Sequence, residues 1–511
     1  MKGHITILIL LASLFTGCQY FGNDFGDNNP EGGPPVVAGI ELDSLTLCQT
    51  IDSLVNADAD SSIAGKAMRE HYTLTHALNW IDYSGIKPQA DTLLRYLDIV
   101  EQTGLKASLF PTPDIKADKR LIDSLEVNEQ NVYAVAVRMD MLLTKAFMRY
   151  AGWQHYGLTN PYKLFNRLDR NKHDTVHVIF RELYDVPTEI LGKNGYRHLA
   201  ELAGSDSTVN VLADAEPKSE LYKRLKAKLR TAEGTERERI LVNMERCRWR
   251  HPHYPWEYKK YVVVNIPSYG LIAVDNDTVI DMKIVCGAYD TKTPLVSSEI
   301  MRMDLNPRWM MPPSVIKHEV ARHGGDSAYF ARHRYKITNR TTGESCNPAH
   351  VSMSDLQSGR YRVSQDGGAG NALGRIIFRF DNSFSIYLHD TSSKGVFSRS
   401  DRRASHGCVR VERPFDLAKY MLEDKDEKLI ERIKYTMEYV EGQEYTVDEE
   451  GNKVKKKKLQ TLNSVKVNPK VPLFITYYTM YLLPDNTLQT YPDVYGFDKV
   501  IAPAIKKYVT M

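Results

Sequence analysis

The sequence predicts an α+β protein in which a helical N-terminal half is followed by a β-rich C-terminal half. Two observations carry this. Between about residues 41 and 250, apolar residues recur at three- and four-residue steps, the spacing of one helix face. Near residue 260 that period gives way to short β-branched runs bounded by Pro, Asn and Asp. With 511 residues, 42% of them hydrophobic, the chain is long enough for about three domains and too apolar for global disorder. A net charge of +3, from 67 Lys and Arg against 64 Asp and Glu, is too balanced for a protein built to grip nucleic acid. Six cysteines without a CxxC pair supply neither a disulfide scaffold nor a structural zinc module.

The elements follow in order. Met1-Lys2-Gly3-His4, an apolar run from Ile5 to Phe15 and the small residues before Cys18 describe a secretory signal over 1–17. The run is shorter than the roughly 20 residues a spanning helix needs. Residues 18–40, with Asn28 to Pro35 at their centre, read as a flexible tether. A helical domain is expected over 41–258. In it Asp91 caps a helix carrying Leu93, Leu94, Leu97 and Val100, which Gly104 ends. A second stripe runs through Val132, Val135, Met139, Leu142 and Ala146. Ser219 precedes Leu221, Leu225 and Leu229, and Thr235 with Glu238 makes a capping box before Ile240, Leu241 and Met244.

A β-rich domain is expected over 259–511. Tyr261 to Ile266 is a strand, and Leu271 to Val274 with Val279 to Val285 form a hairpin around Asp275-Asn276-Asp277. Arg375 to Phe380 and Phe384 to Leu388 form a second hairpin, and Leu473 to Met480 is a late strand. Residues 313–365 are weakly periodic and charged; a loop that long is functional or has its own small structure, as in a lid over a site. Residues 440–462, with the basic run Lys453 to Lys458, read as a solvated excursion, an anionic contact being the sharper alternative.

The chemistry concentrates in Tyr387-Leu388-His389-Asp390 and Ser405-His406-Gly407-Cys408-Val409-Arg410. A thiol becomes a strong nucleophile as thiolate, and histidine is the natural group to take its proton near neutral pH. His389 closes the strand expected over 384–388, so its ring can be held firmly. Gly407 permits a tight backbone turn beside Cys408, where N–H groups can converge on an oxyanion. A helix from Pro414, with Phe415, Ala418 and Leu422 on one side, would anchor the loop. Taken singly, a buried apolar cysteine and a structural histidine remain the plain alternatives.

Together these residues resemble the L,D-transpeptidase (YkuD) family, whose motif is a histidine, a spacer of about fifteen residues and Ser/Thr-His-Gly-Cys. Here the histidine is His389 and the block is Ser405 to Cys408. The blocks Asn306-Pro307 with Trp309 and Pro312 to Ser314, Gly370 to Arg375, Tyr387 to Thr391 and Tyr491 to Gly496 are similar to the large YcbB-like members. The helical half is similar to their scaffold region, and no separate peptidoglycan-binding module is recognisable. The resemblance implies that Cys408 attacks the carbonyl before the terminal D-Ala of a peptidoglycan stem peptide. A thioester forms, and an amine of another stem resolves it into a 3→3 cross-link. His389 is then the base and acid, its ring oriented by a backbone carbonyl rather than by Asp390. His406 and Gly407 shape the nucleophile loop, and amides at Gly407 and Cys408 contribute to the oxyanion hole. Arg410 is a candidate for holding a substrate carboxylate. Tyr387 and Trp309 are candidates for pocket walls with core packing as the equal alternative, and Ser405 has a loop or purely structural role. No metal or other cofactor is implied, and His251-Pro252-His253 reads as surface polarity. Carbapenem acylation of Cys408 is a further implication.

Cys18 after Gly17 resembles a lipobox, which implies a lipid anchor; an ordinary cleaved signal is the alternative. Gln19 leans toward the outer membrane of a Gram-negative envelope. Competing readings keep the thioester but change the acceptor: water gives an L,D-carboxypeptidase, and a lipoprotein lysine gives a protein-to-wall ligase. An NlpC/P60-like hydrolase would place cysteine before histidine, the reverse of the order here. A non-catalytic wall-binding lipoprotein is the remaining alternative.

Overall fold

This computed structural model describes residues 33–170, 180–424, 426–440, 445–447, 453–455 and 458–511. The expected signal over 1–17, Cys18 and the first part of the tether lie outside the described residues. The tether expected through residue 40 is already structured at Val36. Val36–Val37 pairs antiparallel with Ile40–Glu41, because Ala38 and Gly39 both take positive φ and reverse the chain in two residues.

The chain is helical first and β-rich second, and it forms two compact units that interleave along the sequence. Among the described residues, those within 33–98, 110–151 and 192–213 make one; those within 99–109, 152–191 and 214–511 make the other. In the first unit, helices at Ser44–Ala57, Ile63–Thr75 and Pro88–Asp98 each bury one apolar stripe. The third starts at Pro88, so Asp91 lies inside its first turn and does not cap it; proline's fixed φ suits that first position. The helix Val132–Tyr156 buries Val132, Val135, Met139 and Ala146, with Leu143 rather than Leu142 fully inside. Its buried Asp140 takes N–H groups of Asn79 and Trp80 and the Tyr72 hydroxyl, which satisfies the carboxyl away from water. Burial still pushes that carboxyl up to about 6.

In the second unit, Ser219 caps the helix Glu220–Leu229 through the Tyr222 N–H at 3.2 Å. The next helix, Gly234–Arg248, begins before Thr235 and has no side-chain cap. Thr235 and Glu238 therefore sit within helical turns and form no capping box.

Ten strands make the main sheet: β1 Tyr184–Asp185, β2 Lys260–Asn265, β3 Gly270–Asp275, β4 Thr278–Gly287, β5 Leu295–Leu305, β6 Ile376–Phe380, β7 Leu388–His389, β8 Arg403–Ser405, β9 Val409–Val411 and β10 Ser464–Thr476. Their order is β6-β7-β9-β4-β3-β2-β10-β5-β1, with β8 beside β4. Because β5 also pairs with β6, the path returns to its start and the sheet closes on itself. The β3–β4 hairpin turns at Asn276, whose φ is +51°. Val262, Val264, Leu271, Ala273 and Ile284 are all 0% exposed and form part of its core.

Two strands depart from expectation. The partner of β6 is not 384–388 but the two-residue β7. The Asn382 side chain accepts from the Phe384 and Ile386 N–H groups and donates to the Phe380 and Ile386 carbonyls, which replaces ladder pairing there. The late strand β10 ends at Thr476. Beyond it, Asn265 and Asn243 side chains take the Tyr478 and Thr479 N–H groups.

Between β5 and β6 the chain folds a body of its own. Strands Trp309–Met310, Tyr335–Asn339, Ser345–Cys346 and Tyr361–Gln365 form a four-stranded sheet. Ile316, Val320, Phe330, Ile337, Leu356 and Val363 belong to its private core. Of the 440–462 excursion, Tyr445–Val447 pairs antiparallel with Lys453–Lys455, and much of the remainder lies outside the described residues. Among the described residues, no helix is long and apolar enough to cross a membrane.

Candidate active site

The site is built on the parallel pair β7 and β9. Leu388 is opposite Val409 and His389 opposite Arg410. The Val409 N–H also donates to the Tyr387 carbonyl at 3.1 Å, which carries the register one residue further back. Side chains alternate along a strand, so Leu388 and Val409, both 0% exposed, face the core. Tyr387, His389, Cys408 and Arg410 share the opposite face. The apolar alternation of 386–389 and 409–411 thus aims one phenol, one imidazole, one thiol and one guanidinium the same way.

His389 is 4% exposed. Its Nδ1 lies on the Asp390 carbonyl, which accepts the ring proton and leaves Nε2 as the basic nitrogen. Burial, with the Arg410 charge beside it, holds the imidazole down to about 4. The Asp390 carboxylate is engaged elsewhere: it accepts from the Arg375 and Thr391 N–H groups and from Lys394. Gly374 makes room for it, since a Cβ there would come within 2.3 Å of the carboxyl carbon.

Cys408 is half-buried. Burial pushes its thiol up to about 11, against opposing hydrogen bonds from Tyr387 and the Arg410 and Arg379 charges. The Tyr387 ring stands 5.6 Å from the His389 ring at 70°, and the Arg379 guanidinium lies over the same Tyr387 ring, 5.0 Å from its centroid. Among the described residues, no hydrogen bond joins Cys408 to His389. They are diagonal neighbours across two strands, a separation that long side chains can bridge. Burial thus favours the neutral form of both groups.

The nucleophile loop is pinned by residues far away in sequence. Thr291 Oγ1 and the Ala288 N–H both donate to the Ser405 carbonyl, at 2.8 and 2.9 Å. Thr293 Oγ1 donates to the Gly407 carbonyl at 2.8 Å and accepts the Gly287 N–H at 2.9 Å. Tyr495 donates to the Gly287 carbonyl at 2.7 Å. Ser405 Oγ donates to the Cys408 carbonyl and accepts the Gly407 N–H. The Gly407 N–H is therefore occupied, which leaves the Cys408 N–H as the loop amide open to an oxyanion. Gly407 has φ +117°, a conformation that disfavours any side chain. Replacing Thr293 by valine, nearly the same shape, leaves the buried Gly287 N–H and Gly407 carbonyl without that partner. Urea unfolding is expected to show a loss of about 1–3 kcal/mol.

Arg410 is half-buried, its Nε has no hydrogen-bond partner, and no carboxylate pairs with it among the described residues. Arg379, by contrast, is tied to Asp304 at 2.8 Å. An unpaired guanidinium beside the thiol suits a carboxylate brought by a ligand. His406 is half-exposed and pairs through Nε2 with Glu319 of the inserted body. Trp309 does not join this group; it packs against the inserted body's own core and edge-on to Tyr335. His253 is exposed, whereas His251 is half-buried against the Pro187 carbonyl and Thr188, and burial holds it down to about 4. No cluster of three or more His, Cys, Asp or Glu side chains suited to a metal occurs among the described residues. Thr291, Thr293 and Glu319 gave no local signal, because each acts across at least 87 positions. Tyr495 lay in a block noticed only by resemblance.

Fold and site define a closed β-sheet that presents a thiol and an imidazole on one face. Residues 259–447 match the L,D-transpeptidase (YkuD) catalytic domain, and residues 66–229 match a scaffold domain. A curated Haemophilus influenzae protein, named provisionally as an L,D-transpeptidase, is 29% identical over 262 residues. That match covers 50% of this chain and 49% of the relative, so the chain spans about half the length of the relative. A solved L,D-transpeptidase from Mycobacterium smegmatis is similar over 32% of this chain and 53% of its own, at 13% identity and TM-score 0.19. The chain thus carries a match to the L,D-transpeptidase (YkuD) catalytic domain, with a match to a scaffold domain ahead of it.

Proposed function

We propose that the protein is a peptidoglycan L,D-transpeptidase that forms 3→3 cross-links through a thioester on Cys408. The observation that carries this reading is the shared sheet face, which puts His389, its Nδ1 on the Asp390 carbonyl, on the side bearing Cys408 and the unpaired Arg410. A donor stem peptide lays its terminal carboxylate on Arg410. Its penultimate peptide carbonyl then stands over the thiol. Nε2 takes the thiol proton as sulfur attacks, and the Cys408 N–H supports the oxyanion. The tetrahedral intermediate collapses, the C–N bond breaks, and the imidazolium gives its proton to the departing D-Ala amine. The acceptor amine attacks the thioester, His389 takes its proton, and the thiol is regenerated as the new amide forms. The lack of a hydrogen bond between thiol and ring among the described residues fits a site that tightens when substrate arrives.

Incubation with tetrapeptide muropeptides tests the acceptor. Cross-linked dimers support transpeptidation; tripeptides alone would make the protein a carboxypeptidase; adducts to a lipoprotein would make it a ligase. Arg410→Gln is expected to raise KM for the tetrapeptide about ten- to hundredfold, the worth of one charge-assisted contact. An unchanged KM would remove the carboxylate from Arg410. The same reading places the protein in the cell envelope, held by lipid on Cys18, and makes Cys408 a target of carbapenems. Palmitate labelling of the full chain, lost in Cys18→Ala, tests the anchor.

A further inference from the structure

The inserted body carries a carboxylate that reaches the nucleophile loop. Glu319 lies on the π-helical turn Ile316–Val320, a conformation often found at functional positions. Ile316, Val320 and Ala321, each at most 2% exposed, lock that turn into the inserted body's core. Gly324 seals the next turn, since a Cβ there would stand 2.3 Å from the Met353 nitrogen. The backbone beneath Glu319 is thus held from both sides, and its exposed carboxylate projects away to pair with His406 Nε2. His406 also stands on a fixed base: its neighbours Ser405 and Gly407 are tied to Thr291 and Thr293. Two firm bodies therefore meet through two side chains that are about half exposed, at 46% and 50%.

The inserted body is also attached through its pair of stalks. The Asn306 N–H donates to the Arg375 carbonyl at 2.8 Å. A Cβ on Gly367 would stand 2.0 Å from the Asn306 carbonyl oxygen, so the two stalks run in close contact. Joined at the stalks, the inserted body is tied again to the nucleophile loop by the side chains of Glu319 and His406. An exposed side-chain contact of this kind forms and breaks at small cost.

We propose that Glu319 is a positioning residue that, through His406, clasps the inserted body onto the nucleophile loop and so governs access to Cys408. The proposal rests on Cys408 being the nucleophile, but its first two tests do not require transpeptidation. Hydrogen exchange on the full chain is expected to rise several-fold over 316–339 in Glu319→Ala, with the β2 to β5 strands unchanged. Alkylation of Cys408 by iodoacetamide, mapped by peptide mass, is expected to rise in parallel. Glu319→Gln, which keeps the shape, should show a smaller rise, and Glu319→Asp should restore part of the protection. With muropeptide donor, Glu319→Ala should raise KM more than it lowers kcat, which a merely structural role would not separate. Unchanged exchange and alkylation in both Glu319→Ala and Glu319→Gln would overturn the clasp, and so would a rise spread evenly over the whole second unit. Altered exchange and alkylation without D-Ala release in any form of the protein would leave the clasp standing and sink the transpeptidase reading.

Discussion

Cys408→Ala is expected to abolish release of D-Ala from tetrapeptide muropeptides, a fall of more than about a thousandfold, while leaving the fold intact. The substitution removes one sulfur atom from a half-buried position. The loop keeps its shape through Ser405, Gly407, Thr291 and Thr293, whose bonds are to backbone groups that alanine retains. Far-UV circular dichroism and the thermal midpoint should therefore match those of the parent protein. Two of the other cysteines are poor substitutes. Cys286 is 0% exposed, and burial pushes both it and Cys247 up to about 12. Intact mass after exposure to a carbapenem should show one adduct on the parent and none on the variant. Full turnover in the variant would remove the nucleophile from Cys408.

His389→Gln carries the second large effect. Glutamine can still donate to the Asp390 carbonyl but cannot accept and return a proton, so acylation should slow by about 10²–10⁴-fold. The pH behaviour follows from burial. The imidazole stays neutral down to about 4, so the acid limb of kcat/KM should lie near that pH rather than near the ordinary histidine value of about 6.5. With the thiol pushed up to about 11, alkylation of Cys408 should be slow at pH 7 and climb through the alkaline range. An acid limb between pH 6 and 7, or fast alkylation at neutrality, would mean a resting thiolate–imidazolium pair instead. Stability moves with the same group. In the unfolded chain His389 takes a proton near 6.5, in the fold near 4, so the unfolded state binds more protons in between. Its contribution is complete above about pH 6.5 and is lost as pH falls through 4. Urea midpoints should drop less over that interval in His389→Gln than in the parent.

The order of helical and β halves was legible because side-chain periodicity is a local property. The hairpin around Asn276 was legible for the same reason: a short polar turn between two alternating runs leaves little choice of register. Caps were not. Asp91 and Thr235 have the right chemistry, but Pro88 and Gly234 begin their helices earlier, and a residue already inside a turn has no end to cap. The strand expected over 384–388 shrank because the Asn382 amide satisfies the same backbone groups that a neighbouring strand would have taken. The length of the charged insertion suggested a small structure of its own, but its weak periodicity did not show which residues form the core.

By itself the sequence determined which groups could do chemistry, since a histidine at a strand end and a Ser-His-Gly-Cys turn are written in consecutive residues. Only the tertiary structure decided how those groups are poised. The parallel pairing of β7 with β9 puts Tyr387, His389, Cys408 and Arg410 on one face. Burial on that face sets both proton affinities, and Thr291, Thr293 and Glu319 reach the loop from across the chain. Register, solvent exclusion and long-range hydrogen bonds depend on which distant segments meet, and no short stretch of sequence encodes that meeting.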